Sequence, residues 1–305
     1  MIPTIIDCDP GLDDVMALLL GARTLDLVGI TVTHGNAPLA ATTHNARQAV
    51  ELAGITHIPL AAGMARPLLR APHHALEIHG AGGLGGHTLP EPSVPLNSQH
   101  AVDFIIAQSH RVPGLHLAPI GPLTNIAAAL LKDPTLPERI AQICLMGGST
   151  TSGNTTAAAE FNIYADAEAA HIVFTSGIPI KMVGLNVTRQ VTATPDRLAQ
   201  VRAIGTRTAR VAAGLLEFLG AQVRRFGLPG GAMHDPLAVA ALVAPDVVAF
   251  EPMHVAVELR GEHTYGMTVC DARPSRSAPP NAEVAVAVCP ERFWELFLET
   301  LATYP

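Results

Sequence analysis

Lysine is almost absent from this chain, occurring only at Lys132 and Lys181, and lysine and arginine together number 19 in 305 residues. Against 26 aspartates and glutamates they leave a net charge of −7, with no basic stripe and no aromatics interleaved with basic residues. That pattern excludes a surface built to hold a phosphate backbone, so no nucleic-acid polymer is expected as a partner. The four cysteines, Cys8, Cys144, Cys270 and Cys289, are widely spaced and contain no C-x-x-C pair, which leaves reduced core thiols as the expectation. No apolar run approaches the length needed to span a bilayer. The N-terminal stretch also lacks the basic and long apolar regions of a secretory signal. A cytoplasmic protein without a membrane partner is therefore expected.

What is present is apolar. Hydrophobic residues make up 49% of the chain and charged residues 15%, enough to bury a large core and to exclude disorder. Short β-branched runs at 2–6, 27–32, 115–118, 140–145 and 180–183 alternate with helix-period segments at 13–22, 40–52, 123–131 and 167–176. This alternation of doubly buried strands with helices predicts an α/β fold, a mostly parallel central sheet with helices on both faces. A longer helix at 207–225 precedes the Gly-Pro-Gly breaker at 227–231, and a further helix is expected over 236–242. Segments 255–259 and 265–269, folded around Gly261, predict a small antiparallel hairpin near the C-terminus, followed by a strand at 284–288 and a helix from Glu291.

The densest polar feature lies where the first strand ends. Asp7, Asp9, Asp13 and Asp14 fall within eight residues, around Pro10-Gly11 and ahead of an apolar helix. One or two aspartates there would serve as helix caps, since negative charge is favourable at a helix N-terminus. Four of them repel one another, and such repulsion is tolerated mainly where a cation or a reaction uses it. Carboxylate oxygens suit hard ions such as Ca²⁺ or Mg²⁺, and the carboxyl end of a strand in an α/β sheet is where ligands bind.

Further strand-end loops carry chemistry. Asn154, Glu160 and Asn162 follow the strand ending at Met146, and amides beside a carboxylate suit a polyhydroxylated ligand, although such residues are also ordinary in loops and caps. In Met233-His234-Asp235-Pro236, Asp235 is either a helix N-cap or another oxygen ligand, and His234 is a candidate proton donor. Gly35-Asn36 and the segment Pro119-Ile120-Gly121-Pro122 occupy equivalent positions after their strands. The glycine-rich stretch from His79 to His87 lacks the lysine of a phosphate loop and is expected to be either a mobile flap over a site or a plain surface loop.

These residues resemble one family. Asp7-Cys8-Asp9-Pro10-Gly11-Leu12-Asp13-Asp14 is similar to the N-terminal signature of the inosine-uridine preferring nucleoside hydrolases. Val32-Thr33-His34-Gly35-Asn36, Ile78-His79-Gly80, Gly121-Pro122-Leu123-Thr124-Asn125, Met146-Gly147-Gly148, Ala159-Glu160-Phe161-Asn162 and His234-Asp235-Pro236 resemble its later blocks, in the same order. The resemblance spans nearly the whole chain and implies a single unit over 1–305. It implies hydrolysis of the N-glycosidic bond of ribonucleosides to ribose and free base, with one Ca²⁺ held by Asp9, Asp14, Asp235 and the backbone carbonyl of Ile120. The ribose hydroxyls and the attacking water would complete the six to eight oxygens that Ca²⁺ prefers.

By the same resemblance Asp9 would deprotonate the water and Asp13 and Asn36 would bind the 2′-hydroxyl. Asn154, Glu160 and Asn162 would take the 3′- and 5′-hydroxyls, Asp7 would support them from behind, and the protein would form a homodimer or homotetramer. The chemistry is consistent with these residue types. Cleaving a ribosyl bond develops positive charge at the anomeric carbon, answered by carboxylates and amides, and negative charge on the base, answered by protonation from His234 or His79. The helix before His234 carries Phe218, Gln222, Arg224, Arg225 and Phe226 but no tyrosine, so purine and pyrimidine bases both stay open.

Three rival readings fit less well. A haloacid-dehalogenase-type phosphatase also places Asp-x-Asp after its first strand, but it needs Thr or Val where Gly11 stands and a later phosphate-binding lysine. A calcium-dependent nucleoside-binding protein without turnover would not need both Asp9 and His234. An EF-hand is excluded because Leu18 stands twelfth from Asp7, where that loop requires Glu.

Overall fold

The computed structural model describes residues 1–305 except Thr88, Phe226 and Ser277. In chain order the first half comprises β1 (Pro3–Cys8), α1 (Leu12–Thr24), β2 (Asp26–Val32), α2 (Leu39–Leu52), β3 (Leu60–Ala62), α3 (Leu76–His79), α4 (Ala101–Arg111), β4 (Leu115–Pro119), α5 (Thr124–Lys132) and β5 (Ile140–Met146). Then come α6 (Phe161–Ala165), α7 (Ala167–Phe174), β6 (Ile180–Val183), α8 (Leu185–Thr188), β7 (Thr192–Ala193), α9 (Pro195–Ala203), α10 (Arg207–Arg224) and β8 (Gly231–Ala232). The chain ends with α11 (His234–Val243), β9 (Val248–Val257), β10 (Thr268–Asp271), β11 (Ala282–Val288) and α12 (Pro290–Ala302).

The nine-stranded sheet runs β10-β9-β11-β6-β5-β4-β1-β2-β3. Pairing is parallel from β11 through to β3, while β9 is antiparallel to both β11 and β10. The mostly parallel sheet expected from sequence is present. The C-terminal antiparallel pair is also present, but with shifted bounds: β9 begins at Val248 because its first half pairs with β11. Residues around Gly261 go into the turn instead, where the Glu258 carboxylate accepts from the N–H groups of Arg260 and Gly261. A second antiparallel pair, β7 with β8, lies apart from the main sheet.

Apolar side chains cover both faces of the sheet. On one face α1 is buried along most of its length and packs with α2, α10, α11 and α12, where Phe293, Trp294 and Phe297 are fully enclosed. On the other, α4, α5 and α7 close over Ile5, Leu117, Ile143 and Val284. Cys8 and Cys144 are buried as expected, whereas Cys270 is half-buried and Cys289 is exposed; all four are free thiols. The core assignment fails for Cys289 because it sits at the N-cap of α12, where β11 has left the sheet. Among the described residues no helix is long and apolar enough to cross a membrane.

From β1 the chain first builds outward through β2 to β3, then returns to place β4 on the other side of β1. The order therefore reverses between β1 and β4. Such a reversal opens a crevice beyond the strand ends, because the two flanking connections leave in opposite directions.

Candidate active site

That crevice is floored by Asp9, the first residue past β1 and only 1% exposed. Its carboxylate lies between two glycines: a Cβ on Gly35 or on Gly121 would overlap its oxygens. Oδ2 accepts from the N–H of Asn36 at 2.6 Å. Oδ1 is buried without a hydrogen-bond partner. Burial first, and the neighbouring Asp14 second, push this carboxyl well above the usual carboxylate range.

Asp14 serves two ends at once. Its carboxylate accepts from the N–H groups of Gly11 at 2.9 Å and Asp9 at 3.1 Å, closing the first turn of α1, and the side chain of Asn36 donates to it at 3.1 Å. The capping role and the cluster role are thus filled by the same side chain. Oxygens of Asp13, Asp14 and Asp235 lie within 4.8 Å of one another. Burial and then Asp14 raise Asp13 to about 8, while burial and then Asp13 raise Asp235. Asp235 stands inside the first turn of α11, whose N-cap is Met233, so it is not the cap residue.

Three aspartates with converging oxygens, a fourth with an orphaned buried oxygen, and charges too costly to carry unpaired fit a hard cation. The Ile120 carbonyl, which follows β4, reaches the same crevice; it accepts from Asn162 Nδ2 at 2.8 Å. Asp7 lies one layer below, accepting from Thr31 and Asn125, with burial raising it to about 7.

On the β5 side, Glu160 caps α6 by accepting from Ile163 N and also accepts from Gly148 N, with burial raising it to about 7. Asn162 donates to the carbonyls of Ile120 and Met146 and so ties the β4 and β5 loops together. Asn154 is exposed at the rim, its Oδ1 accepting from Phe161 N.

Two imidazoles complete the crevice. His79 is buried at the end of α3, and its Nδ1 accepts from Leu12 N at 3.1 Å, which puts the ring proton on Nε2. Burial and then His234 lower it to about 3. His234 is half-buried, its Nδ1 2.7 Å from Thr188 Oγ1, and burial followed by Arg189 lowers it to about 4. Both rings are therefore neutral at pH 7.

The glycine-rich stretch contacts both α2 and α10. Asn45 of α2 donates to the carbonyls of Pro10 and Gly82, Leu84 is buried, and His87 packs edge-on against Phe218 of α10. Phe226, named with Phe218 in the sequence reading, lies outside the described residues.

Several supporting residues carry little sequence signal. Thr188 and Arg189 hold His234 and the carbonyls of Ser152 and Gly153 respectively, across 46, 37 and 36 positions. Asp166 links Thr124, Leu68 and Ala169; its place as N-cap ahead of an alanine-rich helix was the one local clue.

An α/β sheet with a carboxylate-lined crevice at its switch point is the frame of a ligand-binding or catalytic site. The sequence profile of the inosine-uridine preferring nucleoside hydrolases matches residues 4–295, and the chain belongs to that family. It is 42% identical over 304 residues to the inosine-uridine preferring nucleoside hydrolase of Crithidia fasciculata, covering 97% of this chain and 96% of that one. It is also 42% identical over 307 residues to a pyrimidine-specific ribonucleoside hydrolase of Photobacterium profundum, covering 99% of each. Among solved structures, a purine-preferring ribonucleoside hydrolase from Gardnerella vaginalis superposes with a TM-score of 0.92 at 33% identity over 98% of both chains. The protein is an N-glycosyl hydrolase acting on ribonucleosides.

Proposed function

We propose that residues 1–305 act as one catalytic unit that hydrolyses both purine and pyrimidine ribonucleosides, with Asp9 as the base that deprotonates the attacking water. The observation that carries this reading is the asymmetry of Asp9: Oδ2 is pinned by a backbone N–H while Oδ1 is buried and free. A base needs one fixed oxygen to aim the other. Asp9, Asp14, Asp235 and the Ile120 carbonyl would hold a calcium ion, which when bound supplies positive charge beside the reacting water and the sugar hydroxyls.

Asp13 and Asn36, next to Asp9, are proposed to bind the ribose 2′-hydroxyl, and Asn154, Glu160 and Asn162 the 3′- and 5′-hydroxyls. Water attacking from the Asp9 side, opposite the base, inverts the anomeric centre. His79 and His234 start neutral, so they face the departing base as N–H donors. The negative charge that develops on that base then raises the proton affinity of the adjacent ring. The names of two relatives, 42% and 33% identical to this chain, point to opposite base preferences, which supports proposing both classes as substrates.

A panel of purine and pyrimidine ribonucleosides, scored by chromatography for free base and ribose, tests the reading with Asp9→Asn as control. Turnover of both classes by the wild type and a loss of several orders of magnitude in folded Asp9→Asn are expected. Near-normal kcat in that variant would reject Asp9 as the base.

A further inference from the structure

We propose that His74 is a positioning residue for Asp9, acting through the single peptide unit that joins Gly35 to Asn36. His74 Nδ1 lies 2.8 Å from the Gly35 carbonyl oxygen. A carbonyl can only accept, so Nδ1 carries the proton and donates. The other end of the same peptide unit is the Asn36 N–H, which donates to Asp9 Oδ2 at 2.6 Å. The imidazole, the peptide and the carboxylate therefore form one chain of donors pointing at Asp9. Each bond in such a chain polarises the next, and the last is a charge-assisted one.

The peptide needs this hold. It lies beyond the end of β2, outside the ladder, in a loop whose Gly35 N–H turns back to the Ala37 carbonyl. Position 35 must be glycine because a Cβ there would overlap the Asp9 carboxylate, so the most freely rotating residue type stands where orientation matters most. Rotation of this peptide would withdraw the N–H from Oδ2 and release the carboxylate. The segment leading into His74 is itself anchored. The neighbouring His73 packs edge-on against Tyr164 at 5.3 Å between ring centres, and the same segment is held where Leu68 N donates to Asp166 and where Arg70 stacks on Tyr265 at 3.4 Å.

The inference rests on the reading of Asp9 as the base, and the experiment separates the two. Steady-state kcat and KM are measured for His74→Ala, His74→Asn, His74→Gln and Asp9→Asn, each checked by circular dichroism and melting. His74→Ala is expected to lower kcat by ~10- to 100-fold with KM changed less than ~3-fold, the signature of a displaced catalytic group. His74→Asn should return kcat to within ~3-fold of wild type, because its amide nitrogen sits as many bonds from Cα as Nδ1 does. His74→Gln, which places its nitrogen where Nε2 stands, should not. If the alanine variant fails to fold, the contrast between Asn and Gln decides. Wild-type kcat in folded His74→Ala, or equal behaviour of the Asn and Gln variants, overturns the proposal. Loss of activity in Asp9→Asn with a normal His74→Ala rejects His74 alone, whereas normal activity in Asp9→Asn overturns the reading of the base itself.

Discussion

At the scale of single residues, the crevice depends on side chains held in one protonation state by what they lack. His34 is fully buried, and its Nε2 faces Thr124 Oγ1 at 3.1 Å. Thr124 donates its own proton to Asp166, so it accepts from His34 and fixes the proton on Nε2. Nδ1 has no partner. Charging the ring would put a second proton where nothing accepts it, and burial, followed by His74, accordingly lowers His34 from 6.5 to about 4. The sign follows from linkage. The unfolded chain takes up this proton as pH falls below about 6.5 and the folded one only near 4, so the stability from a neutral His34 is full above that window and lost within it. His34→Gln, whose amide can still reach Thr124, removes the titration. Between pH 7 and pH 5 urea unfolding should show wild type losing about 2 kcal/mol more than the variant. Parallel pH profiles for the two proteins would dismiss the assignment.

At the scale of elements, what local pattern can encode was legible and what long-range contact encodes was not. β5 ends at Met146 and α2 at Leu52, close to the sequence-based bounds, because apolar β-branched runs and helix-period faces declare themselves. β3 is three residues long, and α9 buries only Leu198 and Val201, so neither offers a period to read. In the crevice, the aspartates after β1 stood out because no bland role needs so many. His74, Asn45 and Arg189 did not, since each acts on a backbone carbonyl dozens of residues away. The glycine-rich loop between α3 and α4 illustrates the same division. Its composition does not say which glycines pack: Gly85 adopts φ +62° with Phe218 packed where a Cβ would go, while Gly86 at φ +74° faces open space. Alanine at either position meets the left-handed penalty of ~1–2 kcal/mol. Gly85→Ala must also displace Phe218, and should cost ~1–3 kcal/mol more than Gly86→Ala in chemical unfolding. Equal losses would mean that the loop does not rest on α10 as described.

At the scale of the whole molecule, folding gathers charge that no isolated segment would tolerate. β1 contributes Asp7 and the turn after it Asp9, the start of α1 contributes Asp13 and Asp14, and α11, more than two hundred residues later, brings Asp235 into the same crevice. All five are at most 6% exposed, in a chain whose net charge is already −7. A group that binds only the folded arrangement stabilises it by mass action, by ~2.7 kcal/mol at a hundredfold excess over its Kd. In a chain of this size that corresponds to a rise of roughly 4 °C in melting temperature. Protein stripped with a chelator should therefore melt lower and recover when calcium is added, and magnesium at equal concentration should restore less, because it demands stricter octahedral geometry and gives up its water reluctantly. Asp235→Asn removes one of the converging carboxylates without changing its volume, so most of the calcium-dependent increment should vanish while the chelated variant melts no lower than chelated wild type. Identical melting in chelator and in calcium, or an increment unchanged in Asp235→Asn, would show that the carboxylates balance one another by sharing protons and that no ion is needed to hold them together.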